Sequence, residues 1–147
     1  MAYATHEGLK TELVKGVKTI ALLGASFDST RAAHGIMKKL IKAGYEIYPI
    51  RPPSPDGAKE LLGRPLYGNL EELIKDKKSV DLVLVFRKSD AVSEIVQSCI
   101  KLGLKNIWCQ DHSIDLEAAK VAEKAGMKVV MDDCIYRQLL SLQATPF

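Results

Sequence analysis

Five short clusters in the chain carry the groups that could do chemistry: Gly24-Ala25-Ser26 with Arg31, Arg51-Pro52, Phe86-Arg87, Gln110-Asp111-His112 and Asp132-Asp133-Cys134. The first is the most informative. A glycine in a turn lets a backbone come close to a phosphate. Ser26, Ser29 and Thr30 add hydroxyls, and a helix that follows them would present free N–H groups and the positive end of its dipole. Arg31 can fork onto two phosphate oxygens. The spacing is not G-x-G-x-x-G, because Ser26 and Ser29 stand where the later glycines would be. It is not G-x-x-x-x-G-K-[ST] either, which excludes a P-loop. The plainer reading is a turn between a strand and a helix, with an exposed arginine.

Arg51 bears on which nucleotide would fit. A site for NAD has Asp or Glu at the end of its second strand, accepting from the ribose hydroxyls. An arginine there favours a ribose that carries a phosphate, as in NADP or coenzyme A; otherwise Arg51 merely starts a surface loop. Cys109-Gln110-Asp111-His112 and Asp132-Asp133-Cys134 contain residue types that zinc accepts, but C-x-x-H here lacks a second strong pair. Asp132 and Asp133 read better as caps of a helix starting near Ile135 than as an acid/base pair. Cys134 is the candidate redox thiol, since a helix N-terminus lowers a thiol's pKa while the two carboxylates oppose it. The bland alternative is a packed, inert cysteine.

These clusters fall just after short apolar runs. Thr19–Leu23, Tyr45–Ile50, Val80–Phe86, Lys105–Cys109 and Met127–Met131 read as strands covered on both faces. Helical spacing separates them. Ile36, Met37, Leu40 and Ile41 share a face ahead of Gly44; Ala91 to Ile100 begins at Ser89 or Asp90 and stops at Gly103; Ala118 to Ala125 begins at Asp115 and stops at Gly126. Asn69 opens a shorter helix over Leu70–Ile74. Thr5–Val14 and Cys134–Leu142 read as terminal helices. The Pro-rich segment Arg51–Gly57 is a loop, followed by a short helical turn over Ala58–Leu62. The expected fold is α/β: a Rossmann-like, doubly wound parallel sheet of about five strands with helices on both faces. Residues 1–17 form an N-terminal helix and 18–147 a single domain.

Composition fits that class. Of 147 residues, 47% are apolar, and 21 Lys+Arg against 18 Asp+Glu leave a net charge of +3. So mild a charge, evenly spread, excludes nucleic acid as an expected partner but admits small anionic ligands. No apolar run reaches the ~20 residues that a membrane helix needs. Three cysteines are too few for a disulfide scaffold, so a reducing cytoplasm is the expected compartment.

The ordered set of motifs resembles the small stand-alone CoA-binding proteins, whose domain is similar to the N-terminal CoA-binding domain of the succinyl-CoA synthetase α-subunit. Gly24-Ala25-Ser26 with Arg31 matches the family's G-x-S…R loop. Leu40, Gly44-Tyr45 and Pro49-Ile50-Arg51-Pro52 match "L…GY…PVNP", and Leu62-Gly63 with Tyr67 matches "LG…Y". Phe86-Arg87, Trp108 with Gln110, and Asp132 with Cys134 match "FR", "W-x-Q" and "D-x-C". Arg51 stands where the family has Asn, and Ala32-Ala33-His34 where it has Pro-Ser-Tyr. The glycine shortly after W-x-Q is missing, and the Pro-rich loop is longer. The resemblance implies that Gly24, Ala25, Ser26 and Arg31 hold the pyrophosphate of coenzyme A and that Arg51 and Pro52 border its ribose and phosphate. It places Phe86 and Arg87 against the nucleotide and Gln110 on the opposite wall. The implied function is binding of CoA or an acyl-CoA as a carrier, sensor or partner module without chemistry of its own, since 147 residues leave no counterpart of the synthetase's phosphohistidine domain. The competing functions are an NADP-binding redox enzyme or sensor and a thiol-dependent CoA redox protein. A homo-oligomer or a partner protein stays open.

Overall fold

The computed structural model describes residues 7–76 and 79–144. Thr5 and His6, at the start of the first expected helix, lie outside them. The chain runs α1 (Glu7–Gly16), β1 (Thr19–Leu23), α2 (Ala32–Lys42), β2 (Glu46–Ile50), β3 (Glu60–Leu61), β4 (Arg64–Pro65), α3 (Leu70–Lys75), β5 (Leu82–Val85), α4 (Val92–Leu102), β6 (Asn106–Cys109), α5 (Leu116–Lys124), β7 (Lys128–Val130) and α6 (Ile135–Ala144). Five strands form one parallel sheet in the order β2-β1-β5-β6-β7.

Strand residues alternate between two cores. Ile20, Leu22, Leu82, Leu84 and Trp108 meet α1, α2 and α6 through Leu13, Val14, Met37, Leu40 and Ile135. Ala21, Leu23, Val83, Val85 and Ile107 meet α3, α4 and α5 through Leu73, Val96 and Ala119. With both faces covered, the central strands are apolar apart from Thr19 and Asn106 at their starts, which is why these runs do not alternate in sequence.

Local signals set the helix ends. The Asn69 side chain accepts from the N–H of Glu72, and that of Asp115 from Ala118. A 3-10 turn over Ser89–Ala91 leads into α4, which Gly103 ends in the left-handed region.

The Ala58–Leu62 segment is a correction: it is not helical. Glu60–Leu61 pairs with Arg64–Pro65 as a two-residue hairpin, with Leu62 and Gly63 both at positive φ (51° and 76°). Five residues are too few to nucleate a helix. Two successive positive-φ residues make the tight turn that suits a hairpin's twist. The segment that follows adds to the sheet edge, with Tyr67 N–H donating to Pro49 O and Arg51 N–H to Tyr67 O.

Candidate functional site

The register of the sheet decides which residues meet. Leu23 pairs with Ile50 on one side and with Val85 on the other, and Val85 pairs with Cys109. The strands therefore end level, and Gly24, Arg51, Phe86 and Gln110 leave the sheet side by side. The chain passes from β1 to β2 on one flank and resumes at β5 on the other, so β1 and β5 flank the switch point where such sheets bind ligands.

Gly24 makes this crossing feasible. Its φ is +88°, and a Cβ there would lie 2.3 Å from the Phe86 carbonyl oxygen and 3.2 Å from Arg87 Cδ. The glycine thus lets two strand exits touch. The N–H groups of Gly24 and Ala25 both donate to Ile50 O, at 3.2 and 3.3 Å. They shape the loop, and the unengaged donors lie further on. Arg31 is the N-cap of α2 with no side-chain cap, so the first-turn N–H groups of Ala32 and Ala33 have no intrahelical acceptor.

Within the loop, the Asp28 N–H donates to Ser26 Oγ at 3.1 Å. Asp28 Oδ1 in turn accepts from the hydroxyl and the N–H of Thr30, at 2.6 and 2.9 Å, and these bonds hold its carboxyl below the usual range.

Two clefts open from the crossing, and both are lined by Gly24 and Arg87. The first, of about 450 Å³, has Ser26, Arg31, Phe86, Lys88, Gln110 and His112 on its walls. The second, of about 490 Å³, lies toward β2, between Arg51, Pro52, Gly68–Glu71 and the start of α4. Among the described residues, Arg31, Arg87 and Lys88 make no ion pair. Asp111, the acid on the first cleft's rim, is gripped by both terminal nitrogens of Arg137, at 2.8 and 3.1 Å. That bidentate bond pulls its pKa down and cancels its charge locally. The first cleft is therefore electropositive.

Arg51 is held differently. Its Nε donates to Pro52 O at 3.3 Å, and its guanidinium lies 5.0 Å from the centre of the Phe27 ring. Phe27 belongs to the loop after β1, and no residue pattern singles it out; the contact exists only because β1 and β2 are neighbours.

The far wall is built for rigidity. Gln110, 5% exposed, accepts from the Ile135 N–H at 2.9 Å and so caps α6 while lining the first cleft. The two aspartates divide the expected capping role. Asp133 accepts from the Cys134 N–H, whereas Asp132 turns away, at φ +56°, to accept from the His112 N–H at 2.7 Å. That second bond fixes the left-handed turn at His112, so capping by Asp132 is a correction. Cys134 is buried and lines neither cleft. Burial also pushes the thiols of Cys99 and Cys109 up to about 12. No group of three or more His, Cys, Asp or Glu among the described residues could hold a metal ion.

Comparison with known proteins identifies this architecture. Residues 18–139 match the family model described as "CoA binding domain". The chain belongs to this CoA-binding domain family. An uncharacterised protein of Bacillus subtilis, YneT, is 30% identical over 124 residues, covering 84% of this chain and 87% of that one. The ADP-forming acetate–CoA ligase I of Archaeoglobus fulgidus is 27% identical over 128 residues, which are 80% of this chain but only 18% of the ligase. Among solved structures, a hypothetical protein from Pyrococcus horikoshii superposes with a TM-score of 0.84 at 30% identity, covering 98% of this chain and 99% of that one. In this CoA-binding domain, Gly24, Ser26, Arg31, Phe86, Arg87 and Gln110 of the sequence motifs converge on the first cleft. Arg51-Pro52 and Ala25 border the second. Lys88 and Phe27 went unmarked in the sequence, whereas the free amides at the start of α2 were expected; Lys88's place directly after Phe86-Arg87 was the available signal. No helix among the described residues is long and apolar enough to cross a membrane.

Proposed function

We propose that this domain binds coenzyme A, or an acyl-CoA, through its ADP-pyrophosphate part, and serves as a carrier, sensor or partner module without chemistry of its own. The observation that carries this reading is the set of cations around the switch point that form no ion pair among the described residues. The buried Asp133, by contrast, is paired with Lys10 and Arg137. At the switch point Arg31 and Arg87 face a cleft together with the open N-terminus of α2. A pyrophosphate lying over Gly24, Ala25 and Ser26 would accept from the α2 amides and from both guanidinium groups. The ribose and its 3′-phosphate would lie toward Arg51 and Pro52, and Phe86 would touch the nucleotide. The pantetheine arm would then run along the first cleft past Gln110.

Calorimetry with CoA, dephospho-CoA and NADP tests the proposal. CoA is expected to bind more tightly than dephospho-CoA, because only CoA offers Arg51 a phosphate. Arg51 would also accept a 2′-phosphate, so NADP is the second reading. Tight NADP binding without CoA binding would replace the proposal with it.

A further inference from the structure

We infer that Phe27 is a positioning residue that presets Arg51 to read a phosphomonoester on the ligand's ribose; this rests on the CoA reading above. A free arginine on a loop has a long, mobile side chain, and gripping a phosphate requires it to be ordered. In this protein the ordering precedes the ligand. The Nε–H is committed to the Pro52 carbonyl, and the flat guanidinium lies over the Phe27 ring. The ring contact and the Nε bond together restrict where the guanidinium can lie. The two terminal NH2 groups are then the remaining donors, the fork that a phosphate takes.

Nothing else among the described residues claims that fork. Asp56 feels the Arg51 charge, but its carboxylate is bound first by the Ser54 hydroxyl and by the Ala58 N–H, and no ion pair forms. Phe27 itself is 38% exposed, one of few large apolar side chains so open to water. The Arg51 contact gives that exposed ring a task. The two residues come from different loops, one after β1 and one after β2, and their contact spans the exits of adjacent strands.

The test measures the affinity of CoA relative to dephospho-CoA by calorimetry in the wild type, Phe27→Leu, Phe27→Tyr and Arg51→Ala. Phe27→Leu is expected to shrink the preference for CoA roughly threefold while leaving dephospho-CoA affinity unchanged, the size expected for one exposed cation–π contact. Phe27→Tyr, which keeps the ring, should retain the preference. In the Arg51→Ala background, Phe27→Leu should have no further effect on it. Equal weakening of both ligands by Phe27→Leu would overturn the inference and make Phe27 a plain ligand contact. An unchanged preference would overturn it as well. A wild type that binds CoA and dephospho-CoA equally sinks the inference but spares the CoA reading, whereas a wild type that binds neither sinks that reading itself.

Discussion

The ends of β6 and β7 and the ends of β1 and β5 lie on the same edge of one sheet, yet they treat charge in opposite ways. Beyond β6 and β7 the carboxylates of Asp111, Asp132 and Asp133 all have partners. The Asp133 carboxylate, 9% exposed, receives Lys10 from α1, Arg137 and Gln138 from α6, and the Cys134 N–H. Its backbone oxygen takes the buried Trp108 indole N–H at 2.9 Å. Beyond β1 and β5, Arg31, Arg87 and Lys88 form no ion pair among the described residues, and the first amides of α2 are open. A buried charge left alone is too expensive to persist, so the first region must be satisfied internally. A solvated cleft tolerates unpaired cations, and their energy is available to an anion that enters. One region joins α1, α6 and the sheet; the other leaves its cations facing an open cleft.

If that contrast is right, substitutions in the two regions should separate stability from binding. The largest effect belongs to Asp133→Ala. It strands the buried ends of Lys10 and α6, and chemical denaturation should show a loss of about 3–5 kcal/mol. CoA affinity of the folded fraction should be unchanged. Acid should erase this difference. Burial pushes the Asp133 carboxyl up, but the bonds from Lys10, Arg137 and the Cys134 N–H outweigh it and hold the pKa below its ordinary value. The unfolded chain therefore takes up its proton first as the pH falls. The stabilisation is complete above the ordinary carboxylate range and is lost as pH falls through the depressed folded value. Denaturation of wild type and Asp133→Ala between pH 6 and pH 2 should show the gap closing below about pH 4. A gap independent of pH would mean that the Asp133 charge contributes nothing.

Gly24→Ala comes next and affects both properties, because Gly24 holds the exits of β1, β2 and β5 together and lines both clefts. Its new Cβ would meet the Phe86 backbone at a positive φ, so about 3 kcal/mol of stability should be lost together with CoA binding. Arg31→Ala should do the reverse of Asp133→Ala. A lost charge-assisted bond should weaken CoA by about 1.5–3 kcal/mol in calorimetry, with the denaturation midpoint unmoved. Unchanged affinity would remove Arg31 from the site.

How much of this was legible in the sequence follows from the range of each interaction. The five strands, the caps at Asn69 and Asp115 and the stop at Gly103 are local features, and the chain declares them within four residues. The turn at Leu62-Gly63 is also local, but helix-forming Ala58–Leu61 masks it, and only pairing with Arg64–Pro65 decides the outcome. The strand exits that line the two clefts were legible because every candidate followed a strand. The site's internal economy was not. That Gln110 caps α6, that Asp132 supports His112, and that Phe27 lies on Arg51 all depend on which strands are neighbours, and on their register. The same is true of Lys10 on Asp133, 123 positions apart, which no spacing rule could suggest.

The most direct test of the contrast is a backbone amide NMR titration with CoA. The expected result is a set of shifts at Gly24, Ser26, Ala32, Ala33, Arg51, Arg87 and Lys88, with the amides of Lys10, Arg137 and Gln138 left in place. Shifts centred on the Asp133 network, or none anywhere at saturating CoA, would contradict it.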